Sequence, residues 1–73
     1  MSRHQINPEK LINSKWTAVV PADKEKHFLV TELVRDDQGL PVACILEAVY
    51  TRRESTLDWH ELQDPARWLQ GWK

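Results

Sequence analysis

Four tryptophans in 73 residues constrain this chain more than any other feature. An indole left in water forfeits a large apolar surface, so each one is either core or contact. A chain this short cannot supply two cores. Its folded surface is about 4,700 Å², against about 12,500 Å² for the extended chain. Apolar burial contributes on the order of 115 kcal/mol, and ordering the chain costs about 110. A margin of about 5 kcal/mol suits one small domain spanning residues 1–73, whose first five residues are expected to be disordered. It leaves no room for a deep substrate cavity or a large cofactor, so neither a cofactor nor a small-molecule substrate is expected.

Composition narrows the class. Hydrophobic residues at 41% with 29% charged are ordinary for a globular domain. The apolar stretches Ala18–Val20 and Val42–Leu46 are too short for a membrane span, and Met1-Ser2-Arg3-His4-Gln5 leads into no hydrophobic run. A lone cysteine, Cys44, fits a reducing cytoplasm. The net charge is −1; residues 1–28 carry five basic and three acidic groups, and 29–73 carry five and eight. That asymmetry falls short of the basic field of a strong nucleic-acid binder.

Local signals predict a mainly β, α+β chain. Asn7-Pro8-Glu9-Lys10 reads as the start of a short helix, with Asn7 as cap and Pro8 at the first position. Strands are expected at Trp16–Val20, stopped by Pro21, and at His27–Arg35. Asp36-Asp37-Gln38-Gly39 is a turn, since Gly39 suits the left-handed conformation of a bulged hairpin. Val42–Thr51 follows as a strand. Its Ile45, Leu46, Val49 and Tyr50 also fit a helical period, but β-branched and aromatic content favours strand. Thr56–His60 is the fourth strand. Asp64-Pro65 predicts a closing helix with Trp68, Leu69 and Trp72 on one stripe. The expected architecture is a four-stranded antiparallel meander with a helix at each end, able to coil into a small SH3/Sm-like barrel.

Hairpin closure then assigns faces. Closing the middle hairpin at Asp36/Gly39 sets Val30 opposite Ile45 and Phe28 opposite Glu47. Closing the last at Arg52/Ser55 sets Ala48 opposite Trp59 and Glu47 opposite His60. One face is core, with Leu29, Leu33, Val42, Cys44, Leu46, Ala48, Tyr50, Leu57 and Trp59. The other is mixed, with Trp16, Phe28, Val30 and Ile45 beside Glu47 and His60, and has the aromatic-plus-polar make-up of a binding surface. The competing arrangement lays the closing helix over that face, with Trp68 and Trp72 beneath it.

Catalytic readings are weak. Glu47 and His60 suit a cross-strand ion pair better than an acid–base pair. Glu32 and Glu47 fall on the order of 13 Å apart, too far for a carboxylate dyad. Cys44 is a small core side chain with no histidine to activate it. His4, His27, His60 and one cysteine lack metal-ligand spacing, and two glycines supply no phosphate loop. No enzyme activity and no metal are expected. Basic residues such as Lys15, Lys24, Lys26, Arg52, Arg53, Arg67 and Lys73 alternate with aromatics, which leaves single-stranded RNA or DNA binding as the alternative function. Trp68 and Trp72 offer too little apolar area for a membrane interface.

Several segments carry a family resemblance: Asn7-Pro8, Lys10-Leu11, Asn13-Ser14-Lys15-Trp16-Thr17-Ala18-Val19, Lys24-Glu25-Lys26-His27-Phe28, Glu47-Ala48-Val49, Arg52-Arg53-Glu54 and Trp68-Leu69-Gln70-Gly71-Trp72-Lys73. Together they resemble a family of small tryptophan-rich bacterial proteins of unknown function. The resemblance implies a stand-alone cytoplasmic bacterial protein and supplies no catalytic residue, substrate or partner. The expected function is therefore a non-enzymatic module that binds a protein or peptide through Trp16, Phe28, Glu47, His60, Arg52 and Arg53.

Overall fold

A computed structural model describes residues 4–22 and 24–73. It contains five strands in one open antiparallel sheet: β1 (Lys15–Ala22), β2 (Glu25–Arg35), β3 (Pro41–Ala48), β4 (Glu54–Leu57) and β5 (Trp68–Gln70), in the order β4-β3-β2-β1-β5. The edges β4 and β5 do not meet, so the sheet is not a barrel. The smallest dimension is 16 Å, enough for a sheet and one thin layer on a single face.

Both expected helices are single turns. Asn7 accepts from the Glu9 N–H as foreseen, but the structure is one 3-10 turn, Pro8–Lys10. Asp64 likewise caps through the Ala66 N–H, and the Arg67 and Trp68 N–H groups donate to its carbonyl. The chain then straightens into β5, which pairs with β1 as Ala18↔Trp68, Thr17↔Leu69 and Trp16↔Gln70. Pairing along β1 yields more than a lone helical turn, so the closing segment became a fifth strand. A further 3-10 turn, Trp59–Gln63, starts where the fourth strand was expected to end.

Pro21 does not stop β1. Between Thr17 and Ala22 the strand takes five residue steps against two on β2, so it leaves the β2 ladder there. Pro21 therefore costs no ladder bond.

The middle hairpin closes through Asp36 N–H to Leu40 O and Gly39 N–H to Asp36 O, with Gly39 at φ +80°. This is a type I turn followed by a left-handed bulge, and it shifts the pairing by one residue from the expected closure. Val30 faces Leu46 and Phe28 faces Ala48. A one-residue slip exchanges faces, so Trp16, Phe28 and Val30 lie on the core side and Leu29 on the other. Bulges at Thr31 and Val42 offset each other, and Leu33 stays with the core beside Cys44.

The last hairpin closes earlier than expected: Leu57 pairs with Cys44 and Glu54 with Glu47. Tyr50, expected in the core, stands 76% exposed in the turn, and Val42 is exposed at its bulge. The core is Leu11, Trp16, Val30, Cys44, Leu46, Leu62 and Trp68, covered by the N-terminal segment and the two 3-10 turns. The disorder expected of residues 1–5 falls partly on 1–3, outside the described residues. His4 is anchored, through its N–H to Gln63 O at 2.9 Å and its ring Nε2 to Trp68 O at 2.8 Å.

A candidate binding face

Among the described residues, no turn covers the second face of the sheet. Strand pairing places Lys15, Leu29, Glu47 and Glu54 in one row across it, and Leu69, Thr17 and His27 in the next. Glu47 and Glu54 are like charges on neighbouring strands, a destabilising pairing that Arg52 offsets at 3.3 Å from Glu47.

The C-terminal tail crosses this face. Gly71, at φ +84°, turns the chain while its N–H donates to Lys15 O at 2.7 Å. Buried Thr17 is the anchor: its hydroxyl donates to Gly71 O at 2.6 Å and accepts from the Lys73 N–H at 2.9 Å. Trp72 is thereby laid on the sheet with its indole N–H bonded to Phe28 O at 3.0 Å. Lys15 Nζ sits 4.8 Å from the centre of that ring, within cation–π range, and the His27 ring lies 6.1 Å away. The Trp72 side of the face remains open, with the residue 44% exposed.

Beyond His27 the face runs into a groove lined by Lys24, Lys26, Val49 and Tyr50. Its walls are tied together by the Val49 N–H to His27 O bond at 2.9 Å and by Glu25, which accepts from Arg53 and from the Thr51 hydroxyl. The Arg53 guanidinium, followed by the Thr51 hydroxyl, holds the Glu25 carboxyl below the usual carboxylate range. Lys24 and Arg52 adopt left-handed φ of 64° and 65° at the two turns flanking this groove.

The expected contact residues do not form one site. Trp16 is 2% exposed, with its N–H on Ser14 Oγ and its ring against His4, so it is core. Phe28 is half-buried on the same side, edge-on to Trp68. Both leave the contact surface because the register slipped by one residue. Glu47 never meets His60: it pairs with Arg52, while His60 lies in the second 3-10 turn, stacked on Trp59 and bonded to Asp58 through Nδ1 at 2.7 Å. The His60 backbone N–H, then its ring, hold the Asp58 carboxyl low. Arg52 and Arg53 border the groove, Arg53 engaged with Glu25.

The four indoles divide by face and by hydrogen bonding. Trp16 and Trp59 lie on the sealed side with bonded N–H groups, Trp59 to Pro41 O at 3.1 Å. Trp68 is 9% exposed, and its Nε1 has no hydrogen-bond partner among the described residues. Trp72 alone lies on the open side. Its sequence signal is the glycine before it, which lets the tail fold over after β5, whereas a helical stripe would have kept Trp68 and Trp72 together. Burial, with a smaller contribution from Asp58, pushes the Cys44 thiol up to about 11, the state of a packed side chain. Among the described residues, no group of three His, Cys, Asp or Glu could hold a metal ion, and no helix is long and apolar enough to cross a membrane.

These features define a single-layer antiparallel β domain with one sealed face and one open aromatic and cationic face. The chain belongs to the family described as Tryptophan-rich protein (DUF2389), a family of unknown function, which it matches over residues 14–73. All four tryptophans fall inside the match, whereas Asn7-Pro8 and Lys10-Leu11 precede it. No curated protein and no solved structure matches the chain.

Proposed function

We propose that this domain is a small non-enzymatic binding module that takes a segment of another protein on the open face of its sheet, centred on Trp72. The observation that carries the reading is the pinned indole: its N–H is satisfied by Phe28 O, yet the residue keeps 44% of its surface in water on the face that also carries Leu69 and Leu29. A large, pre-oriented aromatic side chain loses little entropy on contact and suits an anchor. The lone buried cysteine supports a reducing, cytoplasmic setting, and the family resemblance supports a bacterial one.

Nucleic-acid binding is the weaker reading. Every described arginine is ion-paired: Arg35 with Glu9, Arg52 with Glu47, Arg53 with Glu25 and Arg67 with Glu61. Lys15 also covers part of the Trp72 ring on which a base would stack.

Fluorine NMR on protein carrying 5-fluorotryptophan tests the proposal, with a displayed panel of random peptides as probe. Selected peptides are expected to move the Trp72 resonance first, and Trp72→Ala is expected to weaken them at least about tenfold while leaving the other three resonances in place. Binding indifferent to Trp72, or a response to a thymidine dodecamer without any to peptides, overturns it.

A further inference from the structure

We infer that the segment accepted by this face is acidic and extended, running from the Tyr50 groove past His27 to Trp72 between Lys15, Lys24, Lys26 and Lys73. The inference rests on the open-face reading and adds the chemical class of the partner.

The first observation is a division of labour among the cations. While the four described arginines are ion-paired, none of Lys15, Lys24, Lys26 and Lys73 has a carboxylate partner among the described residues. These lysines divide between the two ends of the path: Lys15, which begins β1, and Lys73, tied to Thr17, stand at the Trp72 end, while Lys24, in the β1–β2 turn, and Lys26, near the start of β2, line the groove. With Arg52 and Arg53 they make six cations against four carboxylates, counting Asp23 by sequence with Glu25, Glu47 and Glu54. The rest of the chain carries four cations against seven carboxylates. Of these carboxylates, Glu25 is buried under Arg53 and Thr51, and Glu47 is answered by Arg52. Among the described residues the unpaired charge along the path is then four lysine ammoniums against the exposed Glu54 carboxylate, and an ammonium is a flexible, well-hydrated partner for carboxylates that does not demand bidentate geometry.

The second observation is shape. His27 belongs both to the groove and to the Trp72 cluster, so the two form one path. From Lys24 to Leu29 this path spans on the order of 17 Å, the reach of about five extended residues. The partner lies on the face and does not extend the sheet at β5. The outward backbone groups of Trp68 are already taken, its N–H by Asp64 O and its carbonyl by the His4 ring. An edge blunted in this way resists strand addition.

Fluorescence anisotropy on the full chain tests this with three labelled probes: a twelve-residue peptide alternating Glu with Leu and Trp, its twin with Lys for every Glu, and a thymidine dodecamer. The acidic peptide is expected to bind, to weaken about tenfold between 20 and 200 mM salt, and to weaken further in Lys24→Glu/Lys26→Glu. Lys26→Glu alone avoids the left-handed position, and an unchanged amide spectrum shows that each variant is folded. Equal, Trp72-dependent binding of the acidic and basic peptides overturns the acidic preference and leaves the face reading intact. Binding of the dodecamer alone overturns both readings in favour of nucleic acid. Binding of none of the three overturns the inference, and the random panel then decides the face reading separately.

Discussion

Trp16 and Trp72 are the same side chain on opposite faces of one sheet, and both have a satisfied indole N–H, on Ser14 and Phe28 respectively. They differ in what lies above them. The N-terminal segment and the Trp59–Gln63 turn cover the face that holds Trp16, so its ring is 2% exposed. Among the described residues only the tail crosses the other face, and Trp72 belongs to that tail. In a single-layer protein the cover decides which aromatic is core and which is contact. Hydrogen bonding of the indole does not separate the two roles.

The comparison breaks most sharply at Trp16. Replacing it with alanine is expected to cost about 3–5 kcal/mol, because the site is enclosed and cannot collapse fully. That is comparable to the whole margin of a domain this small, so Trp16→Ala should be largely unfolded in urea titrations at 25 °C. Trp16→Phe keeps most of the volume and provides a folded variant with a smaller loss. The corresponding loss at Trp68→Phe is expected to be milder still, since the Trp68 N–H has no partner to forfeit.

The cover itself can be tested at Leu62, which is fully buried although it sits in a five-residue 3-10 turn. Leu62→Ala is expected to cost about 2–4 kcal/mol, read from the urea midpoint. A loss near zero would show that the turn only rests on the sheet and does not seal it.

How much of this was legible beforehand differs between the two hairpins. For β2–β3 the turn residues and the role of Gly39 were readable, but the bulge closes Asp36 against Leu40 and not against Gly39. That single step is odd, and it carried Trp16, Phe28 and Val30 from the expected contact face into the core. For β3–β4 the expected pairing was wrong by six residues, an even number. Leu57 kept its face, while the Glu47–His60 pairing disappeared. Side-chain alternation makes the parity of an error matter more than its size. The tail failed for another reason: Asp64 does cap a turn, but propensity could not show that β1 had a free edge for Trp68–Gln70 to pair with.

The Glu25 cluster joins the turn at each end of the groove and adds an acid dependence. The folded carboxyl is held low, so its contribution is fully present above the ordinary glutamate range, near pH 4, and is lost as pH falls through the lowered value. Glu25→Gln is expected to lower the melting temperature at pH 7 and to flatten the fall in stability below about pH 4. Part of that fall will persist, because Glu9 and Asp58 are also held low, chiefly by Arg35 and by the His60 backbone N–H. An unchanged acid limb in Glu25→Gln would remove the cluster as its source.

Gly39 tests the register directly. A Cβ there meets no atom within 4 Å, so the cost of Gly39→Ala comes from its φ of +80° alone, about 1–2 kcal/mol. Gly39→Asn is expected to cost less, because asparagine tolerates the left-handed region. If both substitutions cost nothing in thermal melts, the bulge does not hold the register.

The smallest expected loss of stability belongs to Trp72. Its ring is half in water, its hydrogen bond to Phe28 O can be replaced by water, and the tail remains tied through Thr17 to Gly71 and Lys73. Trp72→Ala should therefore shift the urea midpoint by less than about 1 kcal/mol in stability, the range of surface substitutions, while removing the anchor of the open face. Thr17→Val is the complement: it keeps the indole but releases the tail that carries it. If Trp72 serves as a contact and not as a lid, both variants remain folded and both lose peptide binding, Trp72→Ala through the missing side chain and Thr17→Val through its misplacement. A Trp72→Ala protein as destabilised as Trp16→Ala would show instead that the tail closes a second core, and the two faces would then differ only in the thickness of their cover.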